Sequence, residues 1–306
     1  DSIVYPDNPQ NNVRYLYGNS TAGNNQRGRI AMIEDASGFQ TFFYGKMGEV
    51  IENNHTFVLP NENYPYSFKM RYTYDSWNRV QTITYPDGEE VVYEYDKGGM
   101  LTKVQGRKNF YRYNYLDSIR YNKFGLKAEQ WNGNGTHASY RYDTLLRLDT
   151  MVLYNASNVK LQDIKYHYDA VGNILSLQNN AGTVSLLGGK YTYTYGYDSL
   201  YRLAQSSGNM RTRPSVAYNL SMTYLADGRI SQKTQSGSTM FNWNTQNFSN
   251  TYNYAYNTAR PHTIKSVAGN DHTWDANGNM LTQRSNALLN RVYYELGWDE
   301  ENRLRL

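Results

Sequence analysis

Tyr72-Thr73-Tyr74-Asp75-Ser76-Trp77-Asn78-Arg79-Val80 is the stretch that decides the fold of this chain. Tyr72 and Tyr74 flank Thr73 with strand-like alternation, Asp75 opens a turn, and Val80 begins a β-branched and aromatic run that lasts to Tyr85. Pro86-Asp87-Gly88 then reverses the chain, and Val91, Tyr93 and Tyr95 alternate back to Asp96, which places those three on one strand face. The stretch is a β-hairpin with two turns of different chemistry. At the first, an Asp carboxylate accepts backbone N–H groups two residues on. At the second, as in Pro86-Asp87-Gly88 or Ala226-Asp227-Gly228, Gly takes the left-handed conformation that closes a short loop.

The phrase returns along the chain as Tyr74-Asp75, Tyr95-Asp96, Tyr142-Asp143, Tyr168-Asp169, Tyr197-Asp198, Trp274-Asp275 and Trp298-Asp299. Looser copies at Tyr121-Asn122, Tyr224-Leu225 and Tyr256-Asn257 fill the gaps, and Tyr17-Gly18 and Tyr44-Gly45 carry the pattern towards the N-terminus. The mean step is about 25 residues, the period of an array whose units bury their apolar faces against neighbours. Residues 13–306 read as one repeat field, with 1–12 as an irregular lead-in. Two strands per unit give about two dozen strands, more than a twisted open sheet carries flat, so the expected fold is all-β: tandem β-hairpins in a curled or spiralling sheet, part of a hollow shell. A β-propeller would need blades of about 40 to 45 residues.

Composition agrees. Hydrophobic residues make up 39% of the 306, but 32 tyrosines supply burying surface, and 15% aromatic with 19% charged residues is the wrong signature for disorder. With no cysteine, disulfides, thiol nucleophiles and thiolate metal sites are excluded. No run of about 18 apolar residues suggests membrane insertion, and Asp1-Ser2-Ile3-Val4-Tyr5-Pro6 lacks signal-peptide character. The net charge of +4 comes from scattered residues without a dense Lys/Arg block, which argues against nucleic acid as a partner.

These motifs resemble the YD-repeat, or Rhs-repeat, family, whose unit reads Tyr-x-Tyr-Asp-x-x-Gly-Arg-Leu. Tyr72 to Val80 and Tyr195 to Leu203 match it closely. The run Arg260-Pro261-His262-Thr263-Ile264-Lys265-Ser266-Val267, then Trp274 to Met280 and Trp298 to Leu304, looks like the late part of such arrays. The resemblance implies a hairpin spiral wound into a cocoon, as in polymorphic bacterial toxins, toxin-complex subunits, wall-associated proteins and teneurin-like adhesion proteins. It further implies a secreted or cell-surface setting and a partner in a C-terminal effector or in adjoining segments of the same polypeptide. Family toxins end the array with a Gly-rich signature, in some with an aspartate pair that frees the effector; neither precedes Leu306, so the chain reads as part of a longer protein without self-cleavage.

No catalytic, cofactor or metal site is expected. The repeated aspartates recur at one place in each hairpin, as turn formation requires. Asp275-Ala276-Asn277-Gly278-Asn279 spaces oxygen ligands like a calcium loop, but Met280 stands where Gly is needed and no bidentate Glu follows. The five histidines, at 55, 137, 167, 262 and 272, show no ligand spacing, and Leu187-Gly188-Gly189-Lys190 falls short of a P-loop. Tyr191-Thr192-Tyr193-Thr194-Tyr195-Gly196-Tyr197 puts four rings on one face, an aromatic ladder or a platform for cell-surface glycans. A carbohydrate-binding module is therefore the alternative function. A glycoside hydrolase would need two set-apart carboxylates, for which Glu129, Glu295 and the Glu89-Glu90 pair are the loose candidates.

Overall fold

The computed structural model describes residues 1–6, 9–58, 64–184, 187–210, 216–241, 244–285, 292–299 and 302–304. Glu300 and Glu301 of the last motif copy, and Leu306, lie outside the described residues. Among the described residues the regular structure is antiparallel β, with one 3-10 turn at Pro9–Asn11. Two compact units divide the chain, Asp1–His137 and Ala138–Leu306, and the aromatic–acid motif occurs in both.

Within the first unit each strand pairs with the next in sequence. Val50–Val58 pairs with Pro65–Tyr74, followed by Val80–Thr84, Glu90–Tyr95, Leu101–Lys108 and Tyr111–Tyr121. The second unit repeats the meander through Leu148–Tyr154, Lys160–Tyr168, Ile174–Asn179, Tyr191–Tyr197, Leu203–Met210, Val216–Tyr224, Ile230–Phe241 and Asn244–Tyr256. A two-stranded ribbon, Thr183–Val184 with Leu187–Gly188, stands outside that ladder. Neighbour pairing of this kind follows from short loops, because antiparallel strands need only a tight turn between them.

The register slips by one residue at the motif aromatics Tyr44, Tyr74, Tyr95, Tyr121, Tyr168, Tyr197, Tyr224 and Trp274, each of which begins a five-residue loop. The cause is a type I turn closed by one left-handed residue, which leaves a bulge beside the loop. That left-handed residue sits three places after the acid, at Asn78, Gly99, Leu146, Gly172, Tyr201 and Gly278.

The hydrophobic core is thin. Val13, Val91, Leu116 and Ile119 are buried in the first unit, and Ala138, Val152, Ile164 and Ala181 in the second. Substantial contacts join each strand to its ladder neighbours. Stability therefore rests on lateral ties between neighbouring strands.

Candidate functional site

The aromatic–acid turn is built the same way wherever Asp heads it. At Asp75 the backbone N–H bonds Arg79 O at 2.9 Å, and Asn78 N–H returns to Asp75 O at 3.0 Å. Oδ1 of Asp75 accepts from the N–H groups of Trp77 and Arg79 at 2.9 and 3.0 Å, and Oδ2 takes Arg79 Nε at 2.7 Å. Asp143 with Arg147 and Asp198 with Arg202 repeat the set, each with a 2.7 Å Nε contact. In the Asp169 and Asp275 turns the amides of Asn173 and Asn279 reach Oδ2 instead, at 2.7 and 2.8 Å. Asp299 accepts from Arg303 N and Nε, while Asp96 keeps the Met100 N–H bond at 2.9 Å.

These bonds favour the ionised carboxyl. The Arg79 side chain first, and its backbone N–H second, hold Asp75 below the ordinary carboxylate range. For Asp198 the Arg202 backbone N–H leads the downward shift. At Asp143, Asp169 and Asp275 desolvation pushes upward, and the bonds from residues 147, 173 and 279 together outweigh it. A carboxylate held ionised by its own turn is a poor proton donor.

The aromatic half of the motif ties one repeat to the previous one. The Tyr74 hydroxyl donates to Val50 O at 2.8 Å, Tyr95 to Val80 O at 2.9 Å, Tyr121 to Leu101 O at 2.9 Å and Tyr168 to Leu148 O at 2.7 Å. Tyr197, Tyr224 and Tyr256 do the same to Ile174, Leu203 and Ile230. Trp274 and Trp298 substitute their indole N–H groups, bonding Ile264 O at 2.6 Å and Met280 O at 2.8 Å. Each acceptor is the aliphatic residue that follows the preceding turn. Burial raises the phenol pKa at Tyr74, Tyr168 and Tyr197.

Arginine adds a second tie. Arg79, bonded to its own Asp75, lies 4.4 Å from the ring centre of Tyr95 in the following repeat. Arg147 lies over Tyr168 at 4.5 Å, Arg202 over Tyr224 at 4.3 Å and Arg229 over Tyr256 at 4.5 Å. Neither tie was read from the sequence. The usable signal was that the seven clear copies carry Tyr or Trp and never Phe, although Phe occurs 9 times, so the position demands a ring with a donor.

Two readings change. The Gly turn is not a different turn: Tyr85 N–H to Glu89 O at 2.8 Å and Gly88 N–H to Tyr85 O at 3.0 Å match the acid turn, because both are type I loops with a left-handed third residue. Ala226-Asp227-Gly228 occupies an aromatic–acid turn, with the acid moved two places so that Asp227 Oδ2 meets Arg229 Nε at 2.8 Å. Of the loose carboxylates, Glu129 meets Arg120 at 3.2 Å and Glu90 meets Arg107 at 3.1 Å, on opposite strands of separate ladders, and Glu89 accepts two tyrosine hydroxyls. Tyr191 and Tyr193 pack tilted at 5.5 Å within the ladder, and Tyr197 is tied to Ile174. Asp275 spends both oxygens on its own turn, and among the described residues no three His, Cys, Asp or Glu side chains gather as a metal site would require.

The profile of the family described as RHS Repeat matches residues 74–109. Toxin subunit YenC2 of Yersinia entomophaga is 34% identical over 99 residues, and toxin subunit YenC1 of the same organism 29% over 102. Those alignments span 29% and 30% of this chain and 10% of each relative. Among solved structures, a crystal structure of TcdB2-TccC3 superposes with a TM-score of 0.73 at 18% identity, covering 95% of this chain and 17% of that one. A Photorhabdus luminescens Tc holotoxin pore gives 0.73 at 18%, over 95% of this chain and 16% of that one. At that identity the likeness establishes the fold.

Proposed function

We propose, from the premise that this chain is an array of YD, or Rhs, repeats, that it is a non-catalytic wall segment of a larger secreted toxin-complex-like protein. The wall encloses or presents an effector segment supplied by the same polypeptide. One observation carries this reading: each motif spends its acid on its own turn and its aromatic donor on the preceding repeat, so the recurring polar groups build sheet and leave none poised for chemistry. The likeness to toxin subunits, and to a tenth of their length, supports a part rather than a whole.

Small-angle scattering on the purified chain tests it. A curved profile or a particle with a depleted centre is expected, and a dense solid globule of 35.5 kDa overturns the wall reading. Fusing the neighbouring C-terminal segment of the parent protein should then protect that segment from added protease.

A further inference from the structure

The first unit contains a notch that the repeat architecture does not require. The strands Val80–Thr84 and Glu90–Tyr95 are 5 and 6 residues long, whereas Pro65–Tyr74 beside them has 10 and Tyr111–Tyr121 has 11. Arg71 pairs with Thr84, so Pro65 to Met70 run on past the end of the short hairpin. A cavity of about 390 Å³, within the size range of ligand pockets, opens there between Ser67, Phe68, Tyr85, Pro86, Asp87 and Glu89.

Its lining mixes the rings of Phe68 and Tyr85 with the polar Ser67, Asp87 and Glu89. Phe68 stacks on Phe57 at 5.5 Å with 12° between the planes and is still 43% exposed. Beside the cavity, the hydroxyls of Tyr113 and Tyr115 both donate to Oε1 of the lining residue Glu89, at 2.6 and 2.5 Å, and the two rings meet edge to face at 5.4 Å. Gly106 makes this possible, because a Cβ there would stand 2.3 Å from the Tyr113 ring. Tyr115 remains 50% exposed, although both phenols are pinned. Fixed, exposed rings of this kind are unneeded for the ladder, whose tie in this region is made by Tyr95 and Tyr121.

Charge narrows the ligand. Lys108 Nζ sits 2.5 Å from Asp87 Oδ2, so an incoming cation meets an ammonium, and an incoming anion meets Asp87 and Glu89. The chemistry that remains is a neutral molecule with apolar C–H faces for the rings and hydroxyls for the carboxylates and the ammonium. We propose that this notch is a binding site for a neutral carbohydrate, stacked between Phe68 and the Tyr113–Tyr115 pair with its hydroxyls directed to Asp87, Glu89 and Lys108. The site is separate from the tyrosine ladder of residues 191–197.

The test is calorimetric titration of the full chain with cellohexaose, chitohexaose, maltohexaose and linear mannohexaose. Saturable binding of at least one is expected. Tyr115→Ala and Phe68→Ala should each weaken it by about tenfold or more, since each removes a stacking face. Tyr115→Phe, which retains the ring and loses the hydroxyl to Glu89, should weaken it by a smaller factor, and Tyr201→Ala, in a turn of the second unit, should leave it unchanged. Circular dichroism of each variant separates lost binding from lost fold. Absence of saturable binding to all four sugars overturns the proposal. So does binding that persists unaltered in folded Tyr115→Ala and Phe68→Ala, or preferential binding of hexa-arginine.

Discussion

The Asp143 and Asp169 turns are successive motif turns of the second unit and close with the same bonds, yet only one of them grips the following repeat with a cation. Arg147 satisfies Asp143 Oδ2 at 2.7 Å, lies 4.5 Å over the Tyr168 ring and sends Nη1 to Asp169 O at 3.0 Å. Asn173 satisfies Asp169 Oδ2 equally well at 2.7 Å but is too short to reach Tyr197, which is held by its hydroxyl bond to Ile174 O at 2.9 Å. Closing the turn and tying repeat to repeat are thus separable tasks. The acid and its partner do the first, the aromatic donor does the second at both turns, and the cation reinforces it at one of them.

What both turns share is the hydroxyl tie, so disabling it throughout the array is the largest perturbation. Burial leads the upward shift at Tyr168 and at Tyr197. A phenol raised in the folded state contributes stability that is fully present below its unfolded value, about 10, and is lost as pH rises through the folded value. Tyrosinate absorbance should therefore appear together with loss of the β circular dichroism signal, above pH 10. Early phenol ionisation with the sheet intact would break the assignment. On the acid side the sign reverses: the lowered aspartates contribute stability that is present above about 4 and lost as pH falls through their depressed folded values.

At a single repeat, Tyr168→Ala should cost about 2–4 kcal/mol, because it removes a half-buried ring, a cation contact and a hydrogen bond at once. Tyr168→Phe should cost about 1 kcal/mol, the part owed to the unpaired Leu148 carbonyl. Equal losses for the two, in chemical denaturation, would mean that the ring contributes nothing beyond its hydroxyl.

The cation tie should be transferable in either direction. Arg147→Asn gives the Asp143 turn the chemistry of the Asp169 turn and should cost about 0.5–1 kcal/mol. Asn173→Arg should return a smaller gain, about 0.5 kcal/mol, if the new guanidinium settles over Tyr197. A loss of stability in Asn173→Arg would show that the Tyr197 ring is closed to a cation.

Much of this was legible in the sequence. The hairpin period, the strand alternation around Tyr72 to Val80 and the turn position of Asp75 depend on residues within one loop, and local chemistry decides them. The ties were less legible, because the Tyr74 hydroxyl finds its acceptor 24 residues away and Tyr95 finds its own 15 away, distances at which register decides the partner. The notch was hidden for the same reason. Glu89 was one loose carboxylate among several until the fold set it in a cavity lining with Phe68 and brought the hydroxyls of Tyr113 and Tyr115, 24 and 26 residues away, to its carboxylate.

The smallest effect concerns the third residue of the turn, where the two units differ in what they place. Asn78 holds φ at 59° and Leu146 at 63°, both left-handed, in turns that otherwise share their bonds. Asn tolerates that region, whereas a leucine Cβ is strained there by about 1 kcal/mol or more. Replacing either with Gly removes the strain and adds about 0.5–1 kcal/mol of unfolded-chain entropy against folding. Leu146→Gly should therefore be stabilising by a few tenths of a kcal/mol, and Asn78→Gly neutral or slightly destabilising. Paired melting curves for the two variants check the sign. A Leu146→Gly variant that loses stability would mean that the leucine side chain, 42% exposed, makes contacts worth more than its backbone strain.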